Sequence, residues 1–193
     1  MKKIEAFILK ILGYKIDTVN IPPEAKKCVL LFAPHTSFSD FIIGKMALDI
    51  MGVKTVFLIK KEAFFFPLGP ILRKLGGMPV DRKHVQKLPV YASELIQKEK
   101  EIAFLISPEG TRARNDHWKK GFYYIAQKAG VPIVPGYLDY HSKRGGVLKP
   151  FYPTGNYEAD LAELEKNYYG MRGLHKGKFN LENLPYAHPE WLK

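Results

Sequence analysis

The chain has 193 residues with 46% apolar and 25% charged content, which fits one globular domain able to bury a real core. Its formal charge of +11 and pI near 9.6 point to an anionic partner: nucleic acid, a membrane surface or a phosphorylated molecule. A single cysteine, Cys28, excludes an internal disulfide and fits a reducing compartment, and the six histidines show no metal-ligand spacing, so no metal is expected.

The first segment carries Ile4, Phe7, Ile8, Ile11 and Leu12 at helical spacing, with Lys2, Lys3 and Lys10 off that stripe. Glu5 and Lys10 interrupt any signal-peptide core, and no small-residue cleavage site follows. Two readings of the amphipathic segment over residues 1–20 stand side by side: lying in a membrane interface, or packing on its own domain. No run approaches the roughly 18 apolar residues of a membrane-crossing helix.

Ile21-Pro22-Pro23 leads into the apolar run Cys28-Val29-Leu30-Leu31-Phe32-Ala33, which has the length of a buried strand and is stopped by Pro34. Cys28, at the start of that strand, reads as a buried, inert thiol. Thr36, Ser37 and Ser39 are helix-capping types, and the spacing predicts a helix over 39–51 ending at Gly52. Strands are expected over 53–59, 78–80, 102–106 and 131–137. Helices are expected from Pro67 toward Leu75, then over 91–100, 118–129 and 158–166. This alternation predicts an α/β sheet with helices on both faces. Beyond about Gly145 the chain becomes rich in Gly, Tyr, Lys and Pro and reads as a partly loose tail of the same domain.

The candidate chemistry sits just past the strands. His35 follows the first strand in a strand-to-helix turn, and Asp40 lies five positions on. A turn between them lets the carboxylate bond one imidazole nitrogen and leave the other free as a base. The alternative is a histidine at a helix start with a solvated first-turn acid. Lys60 ends the second strand, Arg82 follows Val80-Asp81, and Ser107-Pro108-Glu109-Gly110-Thr111-Arg112 closes another. In Glu109-Gly110-Thr111-Arg112, glycine permits close backbone approach, Thr111 can cap or donate, and Arg112 offers a planar fork for phosphate. Ligands collect at the carboxyl ends of strands in such sheets. One base with an acid and several fixed cations suits activation of a hydroxyl on a phosphate-bearing molecule. The glycine patterns of dinucleotide and Walker sites are missing.

His35-x-Ser37-x-x-Asp40, Lys60 through Gly69 to Val80-Asp81-Arg82, Pro108-Glu109-Gly110-Thr111-Arg112 and Val131-Pro132-Ile133-Val134-Pro135 occur in that order. Together they resemble the four blocks of the glycerolipid acyltransferase family, over residues 28–140. The resemblance implies a single αβα domain spanning 1–193 with a central mixed sheet, 141–193 forming its C-terminal tail. It implies transfer of a fatty acyl group from acyl-CoA or acyl-carrier protein to a lysophospholipid such as 1-acyl-glycerol-3-phosphate. His35 would be the base and Asp40 its partner. Lys60, Arg82 and Arg112 would hold the acceptor phosphate, and Glu109 and Gly110, with Thr111, would shape its pocket. Pro34, Ser107 and Ala113 stand where the family usually has Asn, Phe and Ser, and the chain is shorter than typical members. No bound cofactor is expected, since a thioester is already activated. Backbone amides of the 35–39 turn are expected to supply the oxyanion donors. The expected setting is the cytoplasmic face of an anionic bilayer, peripheral or monotopic, with no nucleic acid bound. The alternatives are a neutral or amino-acid lipid acceptor, a thioester hydrolase, and outside enzymes a basic nucleic-acid-binding protein.

Overall fold

A computed structural model describes residues 2–80 and 88–192. In chain order the elements are α1 (Lys2–Ile11), β1 (Lys15–Ile16), β2 (Lys27–Ala33), α2 (Phe38–Met51), β3 (Thr55–Lys60), α3 (Leu68–Lys74), β4 (Gly77–Val80), α4 (Leu88–Lys98), β5 (Ile102–Ile106), α5 (Gly121–Ala129), β6 (Ile133–Asp139), β7 (Arg144–Val147) and α6 (Tyr157–Lys166). The strands form one seven-stranded mixed sheet in the order β1-β7-β6-β2-β5-β3-β4. β2 lies between β5 and β6 and runs parallel to both, pairing Val29 with Phe104 and with Ile133. β3 is parallel to β5 and β4, and the one reversal is β7 against β6.

β2 is apolar throughout because both of its faces are buried. Val29, Leu31 and Ala33 point to one side, where Ala92 and Ile96 of α4 and Phe122 and Ile125 of α5 pack. Cys28, Leu30 and Phe32 point to the other, against Leu48 and Ala47 of α2 and Leu9 of α1. The strand period of two thus divides the helices into two layers. The Cys28 thiol is buried and pushed up to about 12 by desolvation, which makes it inert.

Two short strands, β1 and β7, were not expected. The expected first helix is present, but its packing residue is Leu9, and the stripe Ile4, Phe7, Ile8, Ile11 and Leu12 faces outward. The tail also differs from expectation. Tyr168, Met171, Phe179 and Leu181 are buried in the α4–α5 side of the core. The Tyr168 hydroxyl donates to Leu31 O at 2.7 Å, Trp191 stacks on Tyr137 at 4.8 Å, and Asp160 accepts from Tyr123 Oη and from Thr154. A segment that completes the core is ordered by it, whatever its glycine content.

Tyr168→Ala should therefore cost about 3–5 kcal/mol of stability and Tyr168→Phe about 1 kcal/mol, read from urea unfolding midpoints. A loss under about 0.5 kcal/mol for the alanine variant would return the tail to the surface class.

Candidate active site

β2 and β5 are adjacent and parallel, with Leu31 opposite Ile106, so the turns that follow them open on the same edge of the sheet. The first turn begins at Pro34 and ends where Ser37 caps α2, its Oγ accepting from Ser39 N at 3.1 Å. Asp40 completes a capping box from the first turn of the helix. Its carboxylate is wholly buried. Oδ2 accepts from Thr36 N (2.5 Å) and Ser37 N (2.7 Å), and Oδ1 accepts from the Tyr140 hydroxyl (2.8 Å).

His35 stands on this turn with its Nδ1 3.7 Å from Asp40 Oδ2, an ion-pair distance longer than a hydrogen bond. The expected direct bond between the two is thus replaced by the backbone: Asp40 grips the two consecutive amides that follow His35 and fixes the turn through them. Among the described residues no hydrogen bond engages the His35 ring. Its pKa lies below the ordinary histidine value because burial disfavours the imidazolium; Asp40 opposes this and the Arg112 charge adds to it. The ring is therefore neutral, with a free lone pair, at neutral pH.

The second turn contributes Glu109, also buried. Its Oε1 accepts from His35 N at 2.9 Å and its Oε2 from Ser107 Oγ at 2.5 Å. Burial raises the Glu109 pKa, the bonds from Ser107 and His35 pull it down, and Asp40 raises it further. Glu109 thus holds His35 in place and forms no ion pair with a cation among the described residues. Gly110 follows at φ +63, a conformation that favours glycine, and donates to Ser107 O at 3.2 Å. Thr111 is exposed, its Oγ1 accepting from Ala113 N, and Arg112 is exposed near enough to act on His35.

Lys60 is exposed at the end of β3, opposite Val80 in register and two strands from β2 on the same edge. Arg82 lies outside the described residues. The amides expected to serve the oxyanion are largely occupied: those of Thr36 and Ser37 by Asp40, that of His35 by Glu109 and that of Ser39 by the Ser37 hydroxyl. No group of three or more metal-binding side chains occurs among the described residues.

Four contributors were missed in the sequence: Tyr140, Arg172, Gly173 and His175. Tyr140 directly follows β6 at the same edge and holds Asp40; as a residue at a strand's carboxyl end it carried the same signal as His35 and Lys60. Gly173 and His175 close the flank of the turn. His175 N donates to Thr36 Oγ1 at 3.3 Å, and a β-carbon on Gly173 would stand 2.3 Å from the Thr36 side chain. Arg172 ties this strap to the end of β6, donating its amide to Asp139 at 2.8 Å and accepting from Tyr140 N at 2.9 Å.

Several large apolar side chains are exposed: Phe38 and Ile42 of α2, Phe65 and Phe66 before α3, Leu68 and Ile71 within it, and the outward stripe of α1. No helix among the described residues is long and apolar enough to cross a membrane.

The acyltransferase family model matches residues 15–139. The human 1-acyl-sn-glycerol-3-phosphate acyltransferase beta is 29% identical over 146 residues, covering 72% of this chain and 51% of its own. A chloroplastic 1-acyl-sn-glycerol-3-phosphate acyltransferase of Brassica napus is 31% identical over 174 residues, covering 77% of this chain and 47% of its own. The chain thus spans about half the length of these curated relatives. The crystal structure of the 1-acyl-sn-glycerophosphate (LPA) acyltransferase PlsC from Thermotoga maritima shares the fold, with a TM-score of 0.59 at 21% identity over 86% of this chain and 73% of that one. With a match across most of the sheet and both site turns, the chain belongs to the acyltransferase family.

Proposed function

We propose that the chain transfers a fatty acyl group from an acyl thioester to the free hydroxyl of a lysophospholipid, 1-acyl-glycerol-3-phosphate being the acceptor its relatives' names suggest. The observation that carries this reading is the neutral His35 ring, held without a hydrogen bond of its own on a turn gripped by two buried carboxylates, with the Arg112 charge nearby. His35 takes the proton of the acceptor hydroxyl as the oxygen attacks the thioester carbonyl. The tetrahedral intermediate collapses, the carbon–sulfur bond breaks, and the imidazolium returns its proton to the departing thiolate. Asp40, 3.7 Å from Nδ1, stabilises the imidazolium while it exists. The thioester, on CoA or a carrier protein, is consumed as co-substrate. Arg112 and Lys60, with Arg82, are the groups assigned to the acceptor phosphate.

A lysolipid is amphiphilic, and the exposed apolar groups on α1, α2 and α3 supply a seat on a bilayer surface. The outward orientation of the α1 stripe favours this over the reading in which the stripe packs on the domain. The net charge of +11 favours an anionic surface.

His35→Ala should lower kcat/KM by about 10²–10⁴-fold with no loss of thermal stability. Retention of more than a few per cent of activity in a folded variant would sink the mechanism. Asp40→Asn should lose both turnover and stability, because an amide nitrogen repels one of the donors that now face the carboxylate.

The acid limb of kcat/KM should lie below the ordinary histidine value of 6.5, since burial and Arg112 both disfavour the charged ring. Removing Arg112 removes a term that lowers the pKa, so Arg112→Ala should move that limb to higher pH while raising the acceptor KM. A limb that stays in place would show that the guanidinium does not act on the base.

Phe7→Ser combined with Ile11→Ser should weaken flotation with anionic vesicles at least about tenfold, and salt should weaken it in the unsubstituted protein. Both side chains are exposed, so the melting temperature should not move. Unchanged flotation would remove α1 from the membrane seat.

A further inference from the structure

The loop from Ser107 to Lys120 folds back on itself. Lys119 N donates to Pro108 O at 2.8 Å, Asn115 Nδ2 donates to Glu109 O at 2.9 Å, and Trp118 is buried edge-on against Tyr168 at 5.4 Å. These ties lay the Lys119 side chain across Gly110. A β-carbon built on Gly110 would stand 2.7–2.8 Å from Lys119 Cδ, Cε and Nζ, so the glycine is what leaves that side chain its place. The neighbouring lysine behaves differently. Lys120 pairs with Glu158 at 3.1 Å and sits over the Tyr157 ring at 4.3 Å. Among the described residues no carboxylate or ring engages Lys119, although its backbone is fixed on both sides. Arg112, two residues past Gly110, is likewise without an acid partner among the described residues, and its charge reaches His35. Two exposed cations without an acid partner among the described residues therefore flank the turn whose Glu109 holds the His35 amide.

We propose that Lys119 is a ligand of the acceptor phosphate, its ammonium and the Arg112 guanidinium clamping one phosphate monoester; this rests on the acyl-transfer reading above. The two groups are complementary in kind. Arginine offers a planar fork to two oxygens, and lysine a point charge to the third. The position favours the acceptor over the donor. An acceptor phosphate lies a glycerol's length from the hydroxyl that must meet His35; Arg112 sits on the turn that carries the base's support, and the Lys119 side chain lies across that turn at Gly110. The phosphates of an acyl-CoA are separated from the reacting carbonyl by the long pantetheine arm.

The test compares Lys119→Ala, Lys119→Arg and Lys120→Ala in the full chain, using lysophosphatidic acid with acyl-CoA for kinetics and glycerol 3-phosphate for binding by thermal shift. Lys119→Ala should raise the KM for lysophosphatidic acid about ten- to a hundred-fold, leave kcat within about twofold and leave the acyl-CoA KM unchanged. Lys119→Arg should restore most of the loss, and Lys120→Ala should match the unsubstituted protein. Glycerol 3-phosphate should raise the melting temperature of the unsubstituted chain and of Lys120→Ala, and not of Lys119→Ala. An unchanged acceptor KM, an equal rise in the acyl-CoA KM, or the same thermal shift in Lys119→Ala would overturn the assignment. If the unsubstituted chain transfers no acyl group, the functional reading fails and the thermal-shift arm alone decides whether Lys119 binds phosphate.

Discussion

The buried carboxylate of Asp40 is the constraint on which the site depends. Removing a carboxylate from water costs several kcal/mol, and three donors offset that cost here: the amides of Thr36 and Ser37 and the hydroxyl of Tyr140. Each donor belongs to a different task. The Ser37 amide closes the capping box that starts α2, the Thr36 amide bends the chain after β2, and Tyr140 brings in the far end of β6. One side chain thus joins a strand end, a helix start and a second strand end. At 3.7 Å from His35 Nδ1, its carboxylate lies beyond hydrogen-bond reach of the ring and shapes the site through the backbone.

Glu109 repeats the device from the next strand. Because β2 and β5 are parallel and in register, its carboxylate can reach the His35 amide across 74 residues of sequence. Parallel pairing is what brings the two turns to one edge; an antiparallel neighbour would send its closing turn to the opposite end. The two carboxylates have different consequences for His35. Asp40 favours the imidazolium, but burial and Arg112 outweigh it, and the imidazole is left neutral. In the proposed transfer this ring would accept a proton at neutral pH without being so basic that it kept it.

Much of this was legible locally. An apolar run, a proline stop and three capping residues located the turn at His35, and Asp40 followed from the helix start. What was not legible depends on register. Tyr140 meets Asp40 only because Ala33 aligns with Tyr137 between β2 and β6, a pairing that no local pattern specifies. The helical period found the apolar stripe of α1 but could not say which side of the helix meets the protein, and it is Leu9, off the stripe, that does. The tail was misjudged because composition reports the average of a segment. Four large side chains, Tyr168, Met171, Phe179 and Leu181, decide its packing. β7, with two glycines in four residues, has little strand propensity and is held by pairing to β6.

The two faces of the edge meet on α2. Phe38, its first residue, is exposed, while Asp40, two positions later, is wholly buried beneath the His35 turn. α1 runs back along α2: Lys2 approaches Gly52 at the end of α2, and Tyr14, just past α1, packs edge-on against Tyr140 at 5.8 Å. The ring that holds Asp40 is therefore itself held by the segment that follows the outward apolar stripe. Burial raises Tyr140 far above the ordinary phenol range, with its bond to Asp40 acting the same way, so the hydroxyl keeps its proton and remains a donor. Under the acyl-transfer proposal, an amphiphilic acceptor would need an apolar surface for its chain and cations for its head within one molecular length of His35. The exposed Phe38, three residues from His35, would supply the first, and Arg112, on the turn after the neighbouring strand, would supply the second. The polar–apolar boundary that such a substrate would straddle would then fall between the start of α2 and the turn after β5.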